Sequence, residues 1–203
     1  MRKLWGRLTS VNVQKAVWGL DETGLDYERI DAGGAYGVVD DPAYRALNPN
    51  GLVPTLEEDG FALWESNAIL RYLAATSPAL ALPDDPHARA PTEQWLDWQA
   101  TSFTPAMRDA FWQLYRTADP DRRLIENSLK QGEAMAAILD ARLADRDFVA
   151  GDRFGIADIA LGCAAHRWLN LPVNRVERPA LRRWYERIAA RPAASRALGE
   201  PIA

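Results

Sequence analysis

The spacing of apolar residues changes near residue 80, and this change limits the chain to a two-part architecture. Residues 2–75 hold short strand-like and helix-like segments separated by glycines and prolines. Beyond residue 91, apolar side chains recur almost throughout at the three- and four-residue spacing typical of helices. The intervening residues 78–91 are rich in proline, aspartate and alanine, which predicts a linker. The chain is therefore predicted to fold as an α/β half followed by an all-α half.

The first half predicts the element order β-α-β-α-β-β-α. Its clearest helix places Val13, Ala16, Val17 and Leu20 on one face, and Gly24 ends the pattern. The other segments are identified from alternation, turn residues and the capping sequence at residues 65–67. The predicted strands are Lys3–Leu8, Tyr27–Asp31, Val53–Leu56 and Phe61–Trp64, and a hairpin turn over Glu57–Gly60 joins the last two. Two further helices are predicted, one between Asp41 and Asn48 and one from Ala68 onward.

The second half is predicted to contain only helices. They are Thr92–Thr117, kinked at Pro105, then Leu124–Leu143, Ile156–Leu169 and Leu181–Ile188. With the linker before them, the predicted domains are residues 1–76 and residues 86–203.

Charge and cysteine content exclude several classes of function. The formal net charge of −4 argues against a nucleic-acid-binding surface. A single cysteine, Cys163, cannot form an internal disulfide, and the two histidines, His87 and His166, are too far apart in sequence to suggest a metal cluster with it. No apolar run is long enough to span a bilayer and no signal peptide is visible. We expect a cytoplasmic protein that binds no metal, nucleic acid or membrane.

Two separated motifs carry a family resemblance. The run Asn48–Leu56 (NPNGLVPTL), followed by Leu63–Leu73 (LWESNAILRYL), resembles the glutathione-binding region of the glutathione S-transferases. Phe148–Ile159 resembles the C-terminal signature of the same family, in which an aspartate lies near a helix start. The resemblance is to serine-type, theta- or zeta-like branches. It implies an N-terminal thioredoxin-like domain, a C-terminal helical bundle, a homodimer, and glutathione as co-substrate.

The resemblance also implies which residues bind glutathione. Pro54 is expected to follow a cis peptide bond, and Val53 to pair its backbone with the cysteinyl part of glutathione. Ser66, at a helix N-terminus, would bind the γ-glutamyl carboxylate, and Glu65 would meet the adjacent ammonium group. Leu52 stands where relatives often have Lys or Gln to contact the glycyl carboxylate. A strand-initiating proline and a simple helix cap are the plain structural alternatives for Pro54 and Ser66.

The residue that activates the thiol is expected near the start of the first helix, where this chain has neither Tyr nor Cys. Ser10 is the first candidate, by resemblance to the serine-type branches; Asn12 is the second and Thr9 the third. A donor at a helix start favours the thiolate, whose unperturbed pKa is about 8.5. The structural alternative for Ser10 is a turn or capping serine.

The acceptor side of the reaction is expected to involve the first long helix. Met107, Phe111, Trp112 and Tyr115 are candidates for an acceptor pocket, although residues at this spacing also form cores. The sequence thus predicts a glutathione transferase acting on small hydrophobic electrophiles. A catalytically silent binding module of the same fold is the alternative, as is a glutathione-dependent peroxidase or dehalogenase.

Overall fold

The computed structural model describes residues 1–202 and divides into two compact units. The first comprises Met1–Leu82 together with Arg191–Ile202, and the second comprises Pro83–Ala190. The final segment thus belongs with the N-terminal unit, whereas the sequence suggested one helical domain from residue 86 onward. The domain boundaries 1–76 and 86–203 stay a prediction.

A four-stranded sheet forms the centre of the first unit. Its strand order is β2-β1-β3-β4; β1 and β2 are parallel, and the other neighbouring pairs are antiparallel. The strands are β1 (Arg2–Trp5), β2 (Tyr27–Ile30), β3 (Thr55–Glu58) and β4 (Phe61–Trp64), and the helices are α1 (Val11–Thr23), α2 (Pro42–Leu47) and α3 (Ser66–Thr76). This mixed sheet with its helices confirms the predicted thioredoxin-like arrangement.

Helix α1 packs through the face that its sequence predicts. Val13, Ala16, Val17 and Leu20 are fully buried. Gly24 ends the helix at φ 64°, a left-handed conformation that favours glycine. Helix α1 packs beside α3, whose Ile69, Leu70 and Leu73 are also fully buried. The starts of these two helices are therefore held together.

The second unit contains helices only. They are α4 (Pro86–Trp98), α5 (Thr104–Arg116), α6 (Arg122–Arg142), α7 (Ile156–Asn170) and α8 (Pro179–Ala189). This confirms the predicted all-helical second half. In residues 1–202 the structure contains no helix that is long and apolar enough to cross a membrane.

The predicted linker over residues 78–91 is wrong in its second part, because α4 begins at Pro86. Asp85 caps this helix by accepting a hydrogen bond from the Ala88 N–H at 2.9 Å, and Pro86 occupies a first-turn position where its missing N–H costs little. Pro91 lies inside the helix and leaves the carbonyl of the exposed His87 to water.

The predicted helix Thr92–Thr117 is three pieces rather than one kinked helix. A π-helical segment, Gln99–Phe103, joins α4 to α5. Pro105 has no N–H to donate to the carbonyl four residues before it, at Thr101. The wider π turn accommodates this loss without ending the helical path, since Phe103 and Thr104 keep helical dihedral angles.

The C-terminal segment adds a short helix, α9 (Ala194–Leu198), that the sequence analysis missed. It packs against α1 within the first unit. The Arg191 guanidinium makes paired hydrogen bonds to the Glu22 carboxylate at 2.6 and 2.7 Å. Five residues with no apolar periodicity of their own gave no signal from which to predict this helix.

Candidate active site in the first unit

A pocket lies where the start of α1, the loop before β3 and the start of α3 meet. All of its lining residues belong to the first unit. They are Asn12, Asn48, Asn50, Leu52, Val53, Pro54, Trp64, Glu65 and Ser66. The structure therefore brings together all five residues assigned from the sequence to glutathione binding, and one of the two assigned to catalysis.

The loop before β3 is anchored through the carbonyl of Leu52. That oxygen accepts hydrogen bonds from the Tyr44 hydroxyl at 2.6 Å and from the Asn48 amide nitrogen at 2.9 Å. Burial raises the pKa of Tyr44, which keeps its hydroxyl protonated as a donor. The Leu52 side chain is 65% exposed, so this position is held by its backbone.

Val53 presents an unpaired backbone edge to the pocket. The Val53–Pro54 peptide bond is cis, as the resemblance implies. Within residues 1–202 the Val53 N–H and C=O make no hydrogen bond, and β3 pairing with β1 begins only at Thr55. An unpaired strand-like backbone of this kind can add an extended peptide by main-chain hydrogen bonds.

Glu65 is the cap residue of α3 and has an unusual backbone. Its φ is 71°, a left-handed conformation that is costly for a residue with a side chain. No side chain caps the helix, and the Glu65 carboxylate has no partner within residues 1–202. The strain thus places an unpaired carboxylate at the rim of the pocket, beside the N–H groups of the first turn of α3.

Ser66 is the first residue of α3 rather than its cap. It is 5% exposed, and its hydroxyl donates to the Asn12 side-chain oxygen at 3.2 Å. The same hydroxyl oxygen accepts a hydrogen bond from the Lys15 ammonium group at 3.2 Å. A network of hydrogen bonds from α1 to α3 therefore forms one wall of the pocket.

The candidates for thiol activation lie in different places. Asn12, on the first turn of α1, is exposed and lines the pocket. Ser10 is the cap residue of α1, makes no side-chain cap bond, and is not among the lining residues. Thr9 precedes it in a turn and is not a lining residue either. Of the three candidates, Asn12 is thus the one that lines this pocket.

The expected acceptor residues all lie on α5 in the second unit. Met107 and Phe111 are almost fully buried there, and the Arg167 guanidinium lies 4.0 Å from the centre of the Phe111 ring. Tyr115 is half-buried, and Trp112 is 57% exposed beside Arg108 and Asp109. An acceptor role for these four residues stays a prediction.

Two family models match the chain over most of its length. Residues 2–75 match the model described as "Glutathione S-transferase, N-terminal domain", and residues 103–192 match "Glutathione S-transferase, C-terminal domain". The chain belongs to the glutathione S-transferase family. This confirms the resemblance and the fold class predicted from the sequence. Together with the relatives described next, it also confirms the predicted class of enzyme, a glutathione transferase.

Full-length relatives support the same conclusion for this transferase. Glutathione S-transferase GstB of Escherichia coli strain K12 is 41% identical, with all of both chains covered. The disulfide-bond oxidoreductase YfcG of the same organism is 30% identical over 92% of this chain and 90% of its own. The theta class glutathione S-transferase of Xanthomonas axonopodis pv. citri, solved with glutathione bound, is 44% identical with a TM-score of 0.95, covering 100% of this chain and 99% of that one.

Sequence reasoning missed several parts of this transferase's pocket. Three lining residues lie within the two motifs but were not assigned to the site: Asn48, Asn50 and Trp64. Lys15 was not assigned a role, yet it contacts Ser66 across the α1–α3 interface. The sequence did contain an indication of this contact. Lys15 lies one helical turn after Asn12, on the same face of the helix, among mostly apolar residues.

Proposed function

We propose that this protein binds glutathione in the pocket of the first unit and adds its thiol to small hydrophobic electrophiles. One observation carries the proposal: a single pocket combines an unpaired backbone edge, an uncapped helix N-terminus and a side-chain amide. These are donors and acceptors suited to an extended peptide with two charged ends.

The pocket offers a partner for each polar part of the peptide. The N–H and C=O of Val53 would pair with the cysteinyl backbone. The N–H groups of the first turn of α3, that of Ser66 among them, would hold the γ-glutamyl carboxylate, since helix N-termini favour anions. The unpaired Glu65 carboxylate would meet the ammonium group. Leu52 brings no charge to the glycyl carboxylate, so we expect weaker affinity than with a cation there.

Asn12 is the residue that we propose to activate the thiol, with Ser10 as the second candidate. An amide N–H donated to sulfur favours the thiolate over the thiol. Lowering the thiol pKa by one to two units requires only about 1.4 to 2.7 kcal/mol of preferential thiolate binding. One charge-assisted hydrogen bond at the start of a helix is large enough to supply it.

The test compares Asn12→Ala with Ser10→Ala. We expect Asn12→Ala to raise the pKa of the bound thiol by about one unit and to lower kcat about tenfold near pH 6.5, because the thiolate fraction falls tenfold per unit. Thiolate absorbance and the rate with an activated aryl chloride measure both effects. Asn127→Ala, at an exposed site on α6, is the matched control. If Ser10→Ala shows these effects and Asn12→Ala does not, Ser10 is the activating residue.

The alternatives differ in the reaction that follows glutathione binding. A silent binding module would bind glutathione but turn over no substrate. A peroxidase or dehalogenase would act on a hydroperoxide or an alkyl halide. The 30% identical relative named as a disulfide-bond oxidoreductase makes a mixed disulfide a further substrate to assay. Cys163 is fully buried in α7, which disfavours a reaction through a protein thiol.

The setting of this activity is also part of the proposal. We infer a cytoplasmic homodimer that detoxifies electrophilic compounds. The family resemblance supports the dimer, and the absence of cysteine pairs in the sequence supports a reducing compartment. Met107, Phe111, Trp112 and Tyr115 remain the proposed acceptor residues. Their common helix supports this role, as do the exposed ring of Trp112 and the half-buried ring of Tyr115.

A further inference from the structure

Lys15 is a buried cation that contacts the pocket wall without lining the pocket. It lies one turn after Asn12 on α1 and is only 2% exposed. Its ammonium group donates to the Ser66 hydroxyl oxygen and to the Asn67 side-chain oxygen, both at 3.2 Å. The mechanism proposed above makes no use of this group, although only Ser66 separates it from Asn12.

The hydrogen bonds of Ser66 run in one direction, from Lys15 towards Asn12. An ammonium group donates hydrogen bonds and cannot accept them. Ser66 accepts from Lys15 and donates its single hydroxyl proton to Asn12, so the atom of Asn12 that faces Ser66 is the amide oxygen. The amide nitrogen of Asn12 makes no hydrogen bond within residues 1–202, and Asn12 lines the pocket.

We propose that Lys15 is a positioning residue that orients the Asn12 amide, so that its N–H groups rather than its oxygen are available to the ligand. Without the ammonium group, the Ser66 hydroxyl can turn and accept from the Asn12 nitrogen instead. The Asn12 oxygen would then face the pocket, where it repels a thiolate. This inference rests on the proposed function, because the ligand thiol of glutathione is what the amide would bind.

The first experiment compares Lys15→Met with Lys130→Met, a control at an exposed lysine on α6. The pKa of the bound glutathione thiol is measured by thiolate absorbance, and kcat is measured against pH. We expect Lys15→Met to raise the thiol pKa by about one unit, so that kcat falls about tenfold near pH 6.5 and recovers above pH 9. An unchanged thiol pKa in Lys15→Met would overturn the proposal.

A double-mutant cycle separates positioning from a direct effect of charge. Ser66→Ala removes the hydroxyl that joins Lys15 to Asn12. If Lys15 acts through Ser66, adding Lys15→Met to Ser66→Ala leaves the thiol pKa where the single variant placed it. A further rise of the same size in the double variant would mean that the charge acts through space, and positioning would be wrong.

The amide resonances of Asn12 give a test without glutathione or turnover. They are assigned by their loss in Asn12→Ala. In the wild type we expect both protons to exchange rapidly with water, because they face the open pocket, and we expect Lys15→Met to shift them. Slow exchange in the ligand-free wild type would show the nitrogen bonded to Ser66 and would overturn the proposal, even if Lys15→Met does not fold. Failure of the wild type to bind glutathione would instead contradict the proposed function and leave this readout intact.

Discussion

At the scale of single residues, the most informative feature is the strained backbone of Glu65. Its φ of 71° belongs to a conformation that costs a non-glycine residue about 1 to 3 kcal/mol. Such strain persists where the side chain is required at that place, and Glu65 stands at the pocket rim with its carboxylate unpaired. A requirement for the Glu65 carboxylate at the pocket rim thus explains the strain, and it agrees with the proposed contact with the ammonium group of glutathione.

We expect Glu65→Gly to separate these two effects. Glycine relieves the strained φ, so the free energy of unfolding should rise by about 1 kcal/mol. Loss of the carboxylate should weaken glutathione binding about tenfold, because a charge-assisted hydrogen bond is lost. Chemical denaturation and calorimetric titration measure the two quantities.

Asp59→Gly is the control, since Asp59 also has a positive φ, of 48°, but lies in the β3–β4 hairpin. It should leave glutathione affinity unchanged. Equal affinity loss in both variants would contradict a specific role for the Glu65 carboxylate.

The sequence was most informative about individual residues where a motif contained them. Val53, Pro54, Glu65 and Ser66 were assigned in advance, and the structure brings them into one pocket. The ranking of Ser10 above Asn12 rested on the family resemblance alone, because the residues themselves do not show which side of the first turn of α1 faces α3. Only the packing of the two helices decides that direction.

At the scale of elements, Asp158 determines how α7 begins. Its carboxylate is almost fully buried and accepts from the Val149 N–H at 3.0 Å, the Trp184 indole N–H at 2.9 Å and the Gly155 N–H at 3.1 Å. Gly155 has no side chain to complete a capping box, so Asp158 supplies the only side-chain half. The start of α7, the preceding loop and α8 therefore share one anchor.

Asp158→Asn should destabilise the protein by about 1 to 3 kcal/mol. An amide offers one oxygen in place of two, so at least one of the three buried N–H donors loses its acceptor. Denaturant unfolding measures the loss. Asp152→Asn, at an exposed site in the loop before α7, should change stability by less than about 0.5 kcal/mol. Equal stability of Asp158→Asn and the wild type would contradict this assignment.

The same carboxyl predicts a pH dependence of stability. Burial raises the pKa of Asp158 from 3.8 to about 6, although its hydrogen bonds act in the opposite direction. The folded protein therefore binds this proton more tightly than the unfolded chain does. Protonation of Asp158 then stabilises the folded state, fully below about pH 4, and this contribution is lost as pH rises through 6. The difference in unfolding free energy between wild type and Asp158→Asn should therefore be about 1 kcal/mol larger at pH 5 than at pH 7. A difference that is constant with pH would contradict the raised pKa.

Elements were predicted well where apolar periodicity was strong and poorly where proline was involved. Pro86 and Pro91 suggested a linker, yet Pro86 begins α4. Pro91 lies within α4, where the carbonyl that it leaves unpaired belongs to the exposed His87. Pro105 suggested a kink, and the structure contains a π turn instead. A missing N–H can be accommodated in several ways, and the sequence does not distinguish between them.

At the scale of the whole chain, the last residues return to the first unit. Arg191 pairs with Glu22, whose side chain is 9% exposed, and the Trp18 indole N–H donates to the same carboxylate at 3.0 Å. Such a contact joins residues 169 positions apart, so no local pattern could have predicted it. It fastens the C-terminal segment to helix α1, which also carries Asn12 and Lys15.

We expect Arg191→Gln to loosen this segment. Removing the guanidinium leaves the mostly buried Glu22 carboxylate with one hydrogen bond from Trp18, which should cost about 2 kcal/mol of stability. Amide hydrogen exchange in α9 should rise more than exchange in the sheet. Arg153→Gln, at an exposed arginine in the second unit, is the control. Unchanged exchange in α9 would mean that its other contacts hold the segment, among them those of Arg196 with Asp21 and Tyr27.

Thermal unfolding tests most directly whether the pocket of the first unit binds glutathione. The wild type and Ser66→Ala are heated with and without glutathione and with S-hexylglutathione. At a ligand concentration of 100 times Kd, binding stabilises the folded state by about 2.7 kcal/mol, so both ligands should raise the wild-type Tm by several degrees and that of Ser66→Ala by less. No shift in the wild type with either ligand would contradict glutathione binding in this pocket, although the chain would still have the fold of the family.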